Sequence, residues 1–153
     1  MSLLKIHLDR QSPKDKPKKK AYKNGLRFYS EKEAMMFRSN WEIEIAELLS
    51  SLNIPYEYEP KRFYYKAHKE SYLPDFYLPT YNVYLECKGY MDKRSLKRCN
   101  LFRKYQGATC GFFLYEKEER ELILNEPALL YTYLGIAQEE LRRRQDEENY
   151  LSH

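Results

Sequence analysis

The pattern of hydrophobic and polar positions predicts one helix with particular clarity, between Ser39 and Leu52. Apolar residues in this segment recur three to four positions apart and therefore share one face of a helix. They are Trp41, Ile45, Leu48, Leu49 and Leu52. Ser39 is a residue type that caps helix N-termini, and Asn53 ends the pattern. We expect this helix to pack through its apolar stripe.

Strands are predicted on both sides of a central hairpin. Residues 54–60 alternate and close at a proline, which is typical of a strand end. Residues 62–72 hold an aromatic cluster and a polar turn around His68. The apolar run 109–115 predicts a buried strand, and residues 121–124 predict a further edge strand.

Two more helices complete the prediction. Residues 92–105 form a basic helical pattern with Asp92 near its start, and Pro127 stands near the start of a final helix that runs into the acidic segment 139–148. The order helix, strand, hairpin, helix, strand predicts an α/β fold, a small mixed β-sheet flanked by helices.

Charge changes the picture at the N-terminus. Between Arg10 and Arg27 eight basic residues stand against one acid, and this proline-rich run is too polar for a packed core. The chain is therefore predicted to contain a flexible basic N-terminal arm (1–28), a central domain (29–135) and an acidic C-terminal helix or tail (136–153). Of the 153 residues, 42% are hydrophobic, which suffices for one domain with a real core.

Cysteine content and the N-terminal sequence indicate the compartment. The three cysteines, Cys87, Cys99 and Cys110, form no closely spaced pair, so neither a disulfide framework nor a zinc site is predicted. The N-terminus has no long apolar run, so no signal peptide and no membrane contact are predicted. We expect a cytoplasmic protein of a bacterial or phage-infected cell.

The central hairpin carries the candidate chemistry. Side chains two positions apart on a strand face the same way, so Glu86 and Lys88 share a face. A turn centred on residues 80 and 81 places Asp75 directly across from Glu86, with about 5 Å between their Cβ atoms. Such a pair of carboxylates is favourable when it binds a divalent cation. Asp75, Glu86 and the backbone carbonyl of Cys87 are the predicted ligands of such a cation.

The run from Ser71 to Tyr90 resembles a known family. Pro74-Asp75 followed by Glu86-x-Lys88 is similar to the signature of the PD-(D/E)XK nuclease superfamily. The wider run is similar to the phage endonuclease I-like enzymes that resolve Holliday junctions. The resemblance covers residues 38–115. It implies a restriction-endonuclease-like core and a magnesium-dependent hydrolysis of DNA phosphodiester bonds, in which Lys88 orients or deprotonates the attacking water or neutralises developing charge.

The family places a further acid on the first helix. Glu42 and Glu44 flank the apolar stripe on opposite sides, whereas Glu47 is predicted to face water. Periodicity alone does not choose between the first two. The pattern Arg38-Ser39-x-x-Glu42 resembles the start of the corresponding helix in the family, and this resemblance favours Glu42 as a fourth catalytic residue.

Basic residues outside the motif are predicted to contact phosphates, because such contacts position DNA without reading its bases. The candidates are Lys18, Lys19, Lys20, Lys93, Lys97 and Arg98. Binding through them would weaken as salt is added. The partner is predicted to be branched DNA bound by a homodimer, since a four-way junction needs two symmetric cuts.

Three hypotheses for the function remain open at the level of the sequence. The first is a structure-selective, metal-dependent endodeoxyribonuclease. The second is an endonuclease subunit of a transposition, repair or restriction system, in which a partner protein supplies the targeting. The third is a DNA-binding module without catalytic activity, which the presence of all four family positions disfavours.

Overall fold

The computed structural model describes residues 19–22 and 25–152. Its elements, in chain order, are β1 (Lys19–Tyr22), β2 (Gly25–Ser30), β3 (Met35–Phe37), α1 (Asn40–Ser51), β4 (Glu57–Tyr58), β5 (Phe63–Tyr65), a short 3₁₀ turn (Lys66–His68), β6 (Glu70–Tyr72), β7 (Phe76–Leu78), β8 (Val83–Cys87), α2 (Lys93–Gln106), β9 (Gly111–Tyr115), α3 (Lys117–Asn125) and α4 (Leu129–Leu151). The protein is thus a mixed α/β fold with small sheets, as its sequence predicts.

The central sheet has the strand order β4-β7-β8-β9. β7 pairs antiparallel with β4 and β8, while β8 and β9 run parallel. Phe76 lies opposite Leu85 and Leu78 opposite Val83. This register confirms the predicted centre of the turn, and it carries Asp75 and Glu86 to facing positions at the end of the hairpin.

The two faces of this sheet pack against different helices. On one face Leu85 and its neighbours join the main core with α1 and α4. On the other face Tyr84 joins a smaller aromatic core beneath α2, with Phe102 fully buried at its centre. Alternation along β8 explains the division, because successive side chains point to opposite faces. Glu86 follows the parity of Tyr84, so its carboxylate lies on the side of α2.

α1 is shielded from solvent on most of its surface. Its N-cap is Ser39, whose side chain accepts a hydrogen bond from the backbone N–H of Glu42 at 3.2 Å. The apolar stripe faces the core as predicted, with Ile45 and Leu49 fully buried. The helix therefore holds its N-terminal turn in a fixed place beside the end of β8.

The structure differs from the sequence prediction at the N-terminus. Residues 1–18 of the expected flexible arm lie outside the described residues. Residues 19–22 and 25–30 form β1 and β2 of a small antiparallel sheet that continues into β3. Within the segment 1–28, residues 19–22 and 25–28 therefore belong to paired β-strands, which the sequence prediction did not include.

The edge strand predicted for residues 121–124 is wrong. These residues belong to α3, which begins with a capping box between Glu116 and Glu119. Ile123, in the middle of this helix, is fully buried in the main core. The prediction failed because a four-residue apolar run does not distinguish a helix from a strand. The final helix is confirmed as α4, and it crosses residue 136 without interruption. Among the described residues, no helix has the length and apolarity to cross a membrane.

Candidate active site

A cavity of about 430 Å³ opens where β8 ends and α1 begins. The elements around it are the N-terminal turn of α1, the residue before β7, and the end of β8 with the loop that follows. Its walls bring together five residues that the sequence predicts for the site: Glu42, Asp75, Glu86, Cys87 and Lys88. The hairpin register and the helix cap are the local features that place them together.

Asp75 and Glu86 form the centre of this cavity. Their carboxyl groups are hydrogen-bonded to each other. Asp75 Oδ2 also accepts the backbone N–H of Cys87 at 2.8 Å, and Glu86 Oε2 accepts the phenol of Tyr72 at 2.5 Å. Burial, followed by the negative charge of Glu86, raises the pKa of Asp75 well above its ordinary value. Both carboxyls of the pair therefore hold a proton more readily than exposed acids do.

Glu86 is 3% exposed and is the more shielded of the pair. Burial raises its pKa, while hydrogen bonds from Asp75 and Tyr72 and the positive charge of Lys88 act in the opposite direction. Lys88 follows β8 and is fixed there by its backbone N–H, which donates to the Tyr115 carbonyl at 3.0 Å. An ammonium group thus stands on the same side of the hairpin as the two carboxyls.

Glu42 adds a third carboxylate to the cavity. It is 3% exposed, and its Oε1 accepts a hydrogen bond from the phenol of Tyr58 at 2.8 Å. Burial is the main reason that its pKa is raised. Its charge in turn raises the pKa values of Asp75 and Glu86, after the larger effect of their burial. The three acids are therefore close enough to act on one another.

The structure places Glu42 and Glu44, between which periodicity did not choose, in different surroundings. Glu44 lies outside the cavity, where it accepts two hydrogen bonds of 2.8 Å from the guanidinium of Arg120. That guanidinium lies over the ring of Trp41, 4.9 Å from its centroid. Glu44 thus belongs to a neutralised ion pair, and Glu42 is the acid of α1 that lines the cavity.

The prediction that Glu47 faces water is wrong. Glu47 is 7% exposed, accepts a hydrogen bond from Ser30 Oγ at 2.9 Å, and lies 3.8 Å from the ammonium of Lys32. β2 and the turn after it cover this side of α1. A helical projection cannot detect that cover, because it comes from a distant segment of the chain.

The predicted phosphate contacts have different surroundings. Arg98 is paired with Glu70 at 3.1 Å. Lys97 donates to the carbonyl oxygen of His68 at 3.4 Å, and Lys93 is exposed at the start of α2. Lys18 lies outside the described residues. For Lys19 and Lys20 the structure describes the backbone only, as part of β1.

Sequence reasoning missed several residues around the cavity. Arg38, Trp41 and Tyr90 line it, and Tyr90 is 81% exposed at its rim. Arg38 is held by an ion pair with Glu59. Because Arg38 directly precedes the Ser39 cap, the sequence could have predicted that it lies at the start of α1 and near the site. No sequence feature distinguishes Tyr58 and Tyr72 from the other tyrosines in predicted strands.

Comparison of the chain with protein-family models, with curated proteins and with solved structures found no match. The nuclease resemblance is therefore still a prediction from the motif residues. Within residues 19–22 and 25–152, no set of three or more acidic, histidine or cysteine side chains is arranged to hold a metal ion.

Proposed function

We propose that this chain is a metal-dependent endodeoxyribonuclease that hydrolyses phosphodiester bonds of branched DNA. The observation that carries the proposal is the convergence of Glu42, Asp75, Glu86 and Lys88 on one open cavity. Three largely buried carboxylates with raised pKa values are costly to maintain, and groups with such perturbed pKa values gather at functional sites. An ammonium beside them is the further group that phosphodiester hydrolysis requires.

The donor set fits a small divalent cation of the magnesium type. Magnesium prefers carboxylate oxygens and retains water molecules, and the cavity offers both acidic oxygens and room. Asp75 and Glu86 would hold the ion, with the Cys87 carbonyl as the predicted third ligand and Glu42 behind them. When bound, the cation supplies polarisation of the phosphate and acidification of a water molecule.

The protein's own groups orient and hold protons at this site. The N–H of Cys87 fixes Asp75 Oδ2, and the phenol of Tyr72 fixes Glu86 Oε2, so both carboxylates keep one orientation. As an ammonium group, Lys88 would orient the attacking water and favour the additional negative charge that develops on the phosphoryl oxygens. The alternative role, in which Lys88 accepts the proton of that water, requires the neutral amine.

Arg38 supplies a second cation at the mouth of the cavity. One side of its guanidinium is occupied by Glu59, and its side chain is 44% exposed. The group is therefore positioned and accessible to a phosphate next to the one that is cut. Selectivity for branched DNA rests on the resemblance of the motif residues to junction-resolving enzymes.

The direct test is cleavage of labelled four-way junction, flap and linear duplex DNA by the purified chain with Mg²⁺ or Mn²⁺. We expect cleavage that stops with a chelator and falls by at least about 10³-fold in Asp75→Asn and Lys88→Met. Glu57→Gln and Lys117→Met, at exposed positions away from the cavity, are the matched controls.

Two results would contradict the proposal. A chain that binds DNA but cuts none of the three substrates with either cation has no nuclease activity of its own. A Lys88→Met variant that cuts at the wild-type rate would remove the lysine from the mechanism. Cleavage that requires an added partner protein would favour the endonuclease-subunit hypothesis.

A further inference from the structure

The outer face of α2 carries a second concave surface of about 430 Å³. We call it the lysine groove and define it by Lys93, Lys97, Lys104, His68, Leu96 and Leu101. Its first residue, Lys93, is five positions after Lys88 of the candidate active site. Asp92 stands between the two lysines in the chain, and its pKa is lowered by hydrogen bonds from Ser95 and also by the charge of Lys88.

α2 sorts its basic residues into two groups. Arg94 and Arg98 turn toward β6 and share the carboxylate of Glu70, at 3.4 and 3.1 Å. The three groove lysines are different. Among residues 19–22 and 25–152, no carboxylate lies within the 4.0 Å ion-pair distance of their ammonium groups. The three groove lysines therefore form no ion pair within the described part of the protein.

The contacts that the groove lysines do make preserve their charge. Lys97 donates to the backbone carbonyl of His68 at 3.4 Å, and Lys104 lies over the ring of Tyr105, 5.3 Å from its centroid. A carbonyl oxygen or an aromatic ring orients an ammonium group without compensating its charge. Two of the three lysines thus have fixed positions in the groove, and all three residues are exposed.

The first turn of α2 begins with Lys93 and Arg94 and contains no acid of its own. The N-cap Asp92 supplies the acidic side chain that the positive N-terminal end of the helix dipole favours, and it accepts a hydrogen bond from the backbone N–H of Ser95 at 2.7 Å. Lys93 and Lys104 are eleven positions apart, which corresponds to about 16 Å along the helix axis.

We propose that the lysine groove binds the sugar–phosphate backbone of DNA next to the bond that is cut, an inference that rests on the proposed nuclease function. The lysines match the phosphates in charge. Their span of about 16 Å corresponds to the axial rise of roughly five nucleotides of one strand. Between the lysines, the partly exposed Leu96, at 47%, offers apolar surface to deoxyribose. An acidic polypeptide would match the charge but not the alternation of charged and apolar groups.

The test compares two triple variants of the full chain. Lys93→Gln/Lys97→Gln/Lys104→Gln removes the groove charges, and Lys61→Gln/Lys117→Gln/Arg142→Gln removes the same formal charge from exposed positions outside the groove. The binding of a labelled 20-base-pair duplex and of a four-way junction is followed by fluorescence anisotropy between about 50 and 200 mM salt. Thermal melting of each variant checks that it is folded.

We expect the groove variant to bind DNA at least about 10-fold more weakly at 100 mM salt. The slope of log affinity against log salt should become shallower by about 2 to 3, because each lost phosphate contact removes about 0.9. The control variant should change affinity by less than about 2-fold. Equal losses in the two variants would overturn the groove assignment, since they would report net charge alone.

Poly-glutamate serves as the competing ligand of equal charge. If the groove variant loses as much affinity for poly-glutamate as for DNA, the groove is assigned to an acidic protein and the proposal is overturned. The groove assignment and the nuclease function fail separately. A wild-type chain that binds DNA through the groove but cuts none of it retains the groove assignment and loses the nuclease function.

Discussion

The two sides of α1 bury acids in opposite ways. Glu42 and Glu44 are two positions apart and expose only 3% and 7% of their surfaces. Glu44 is neutralised by both nitrogens of the Arg120 fork. Glu42 faces Asp75 and Glu86, and its negative charge raises the pKa values of both.

This difference separates an acid that is paired within the protein from one that is predicted to take part in the reaction. A buried carboxylate with a matched guanidinium is complete within the protein. The negative charge of a group of buried carboxylates with raised pKa values is not compensated within the protein. Binding of a cation or a proton stabilises such a group. The cavity beside Glu42 gives a cation access, whereas the Glu44 pair is shielded by Trp41.

The largest expected effect is on cleavage. Glu42→Gln should lower single-turnover cleavage of a four-way junction by at least about 10²-fold, because it removes a negative charge beside the proposed cation. Glutamine keeps an oxygen that accepts the Tyr58 hydrogen bond. Glu44→Gln, the matched control on the other side of α1, should change the rate per folded molecule by less than about 3-fold. Equal losses would end the distinction between the two acids.

The next largest effect is on stability, and we expect it at Glu44, the position that serves as the control for cleavage. Glu44→Gln should reduce the free energy of unfolding by roughly 2 kcal/mol, below the 3–5 kcal/mol of a fully buried pair, because the Arg120 side chain is 23% exposed. Urea denaturation measures this loss. The double variant Glu44→Gln/Arg120→Met should recover part of it, since no unpaired guanidinium is left. A double variant less stable than Glu44→Gln would show that Arg120 acts mainly by packing on Trp41.

The smallest expected effect is a gain. Asp75→Asn should raise the free energy of unfolding at neutral pH by about 1 kcal/mol or more without divalent cations, because one pKa unit corresponds to about 1.4 kcal/mol. The raised pKa of Asp75 means that the folded state keeps a proton that the unfolded chain releases near pH 4. Stability of the wild type should therefore fall as pH rises above about 4, through the raised folded-state pKa.

Urea denaturation between pH 4.5 and 8 tests this expectation. The Asn variant should show a flatter dependence on pH, and added Mg²⁺ should stabilise the wild type more than the variant. The exposed Glu57→Gln substitution is the control, and it should leave both dependences unchanged. A variant less stable than the wild type at neutral pH would mean that the hydrogen bonds of Asp75 outweigh the repulsion among the acids.

Much of the candidate site follows from local rules. The turn residues between β7 and β8 set the register, and the period of two in a strand then brings Asp75 and Glu86 to facing positions with Lys88 on the same side. The N-cap at Ser39 fixes the residue at which α1 begins, and the helical period then determines which side chains face the core. The catalytic roles of these residues stay predictions, because geometry alone does not report a reaction.

The rest depended on contacts between distant segments. Only the position of Arg120, 76 residues after Glu44, assigned that acid to an ion pair. Likewise, the burial of Glu47 depends on β2, which ends at Ser30, and on the turn that follows this strand. The helical state of residues 121–124 was decided by a capping box and by burial in the main core, neither of which a short apolar run reveals.

The sequence by itself determined the helix that begins after Ser39, the central hairpin with its register, and the basic character of α2. These depend on hydrogen bonds and periodicities within a few residues of one another. The tertiary structure alone decided which acids are neutralised and which basic residues of α2 are paired with a carboxylate. Charge compensation acts through space between residues far apart in the chain, so no local pattern encodes it.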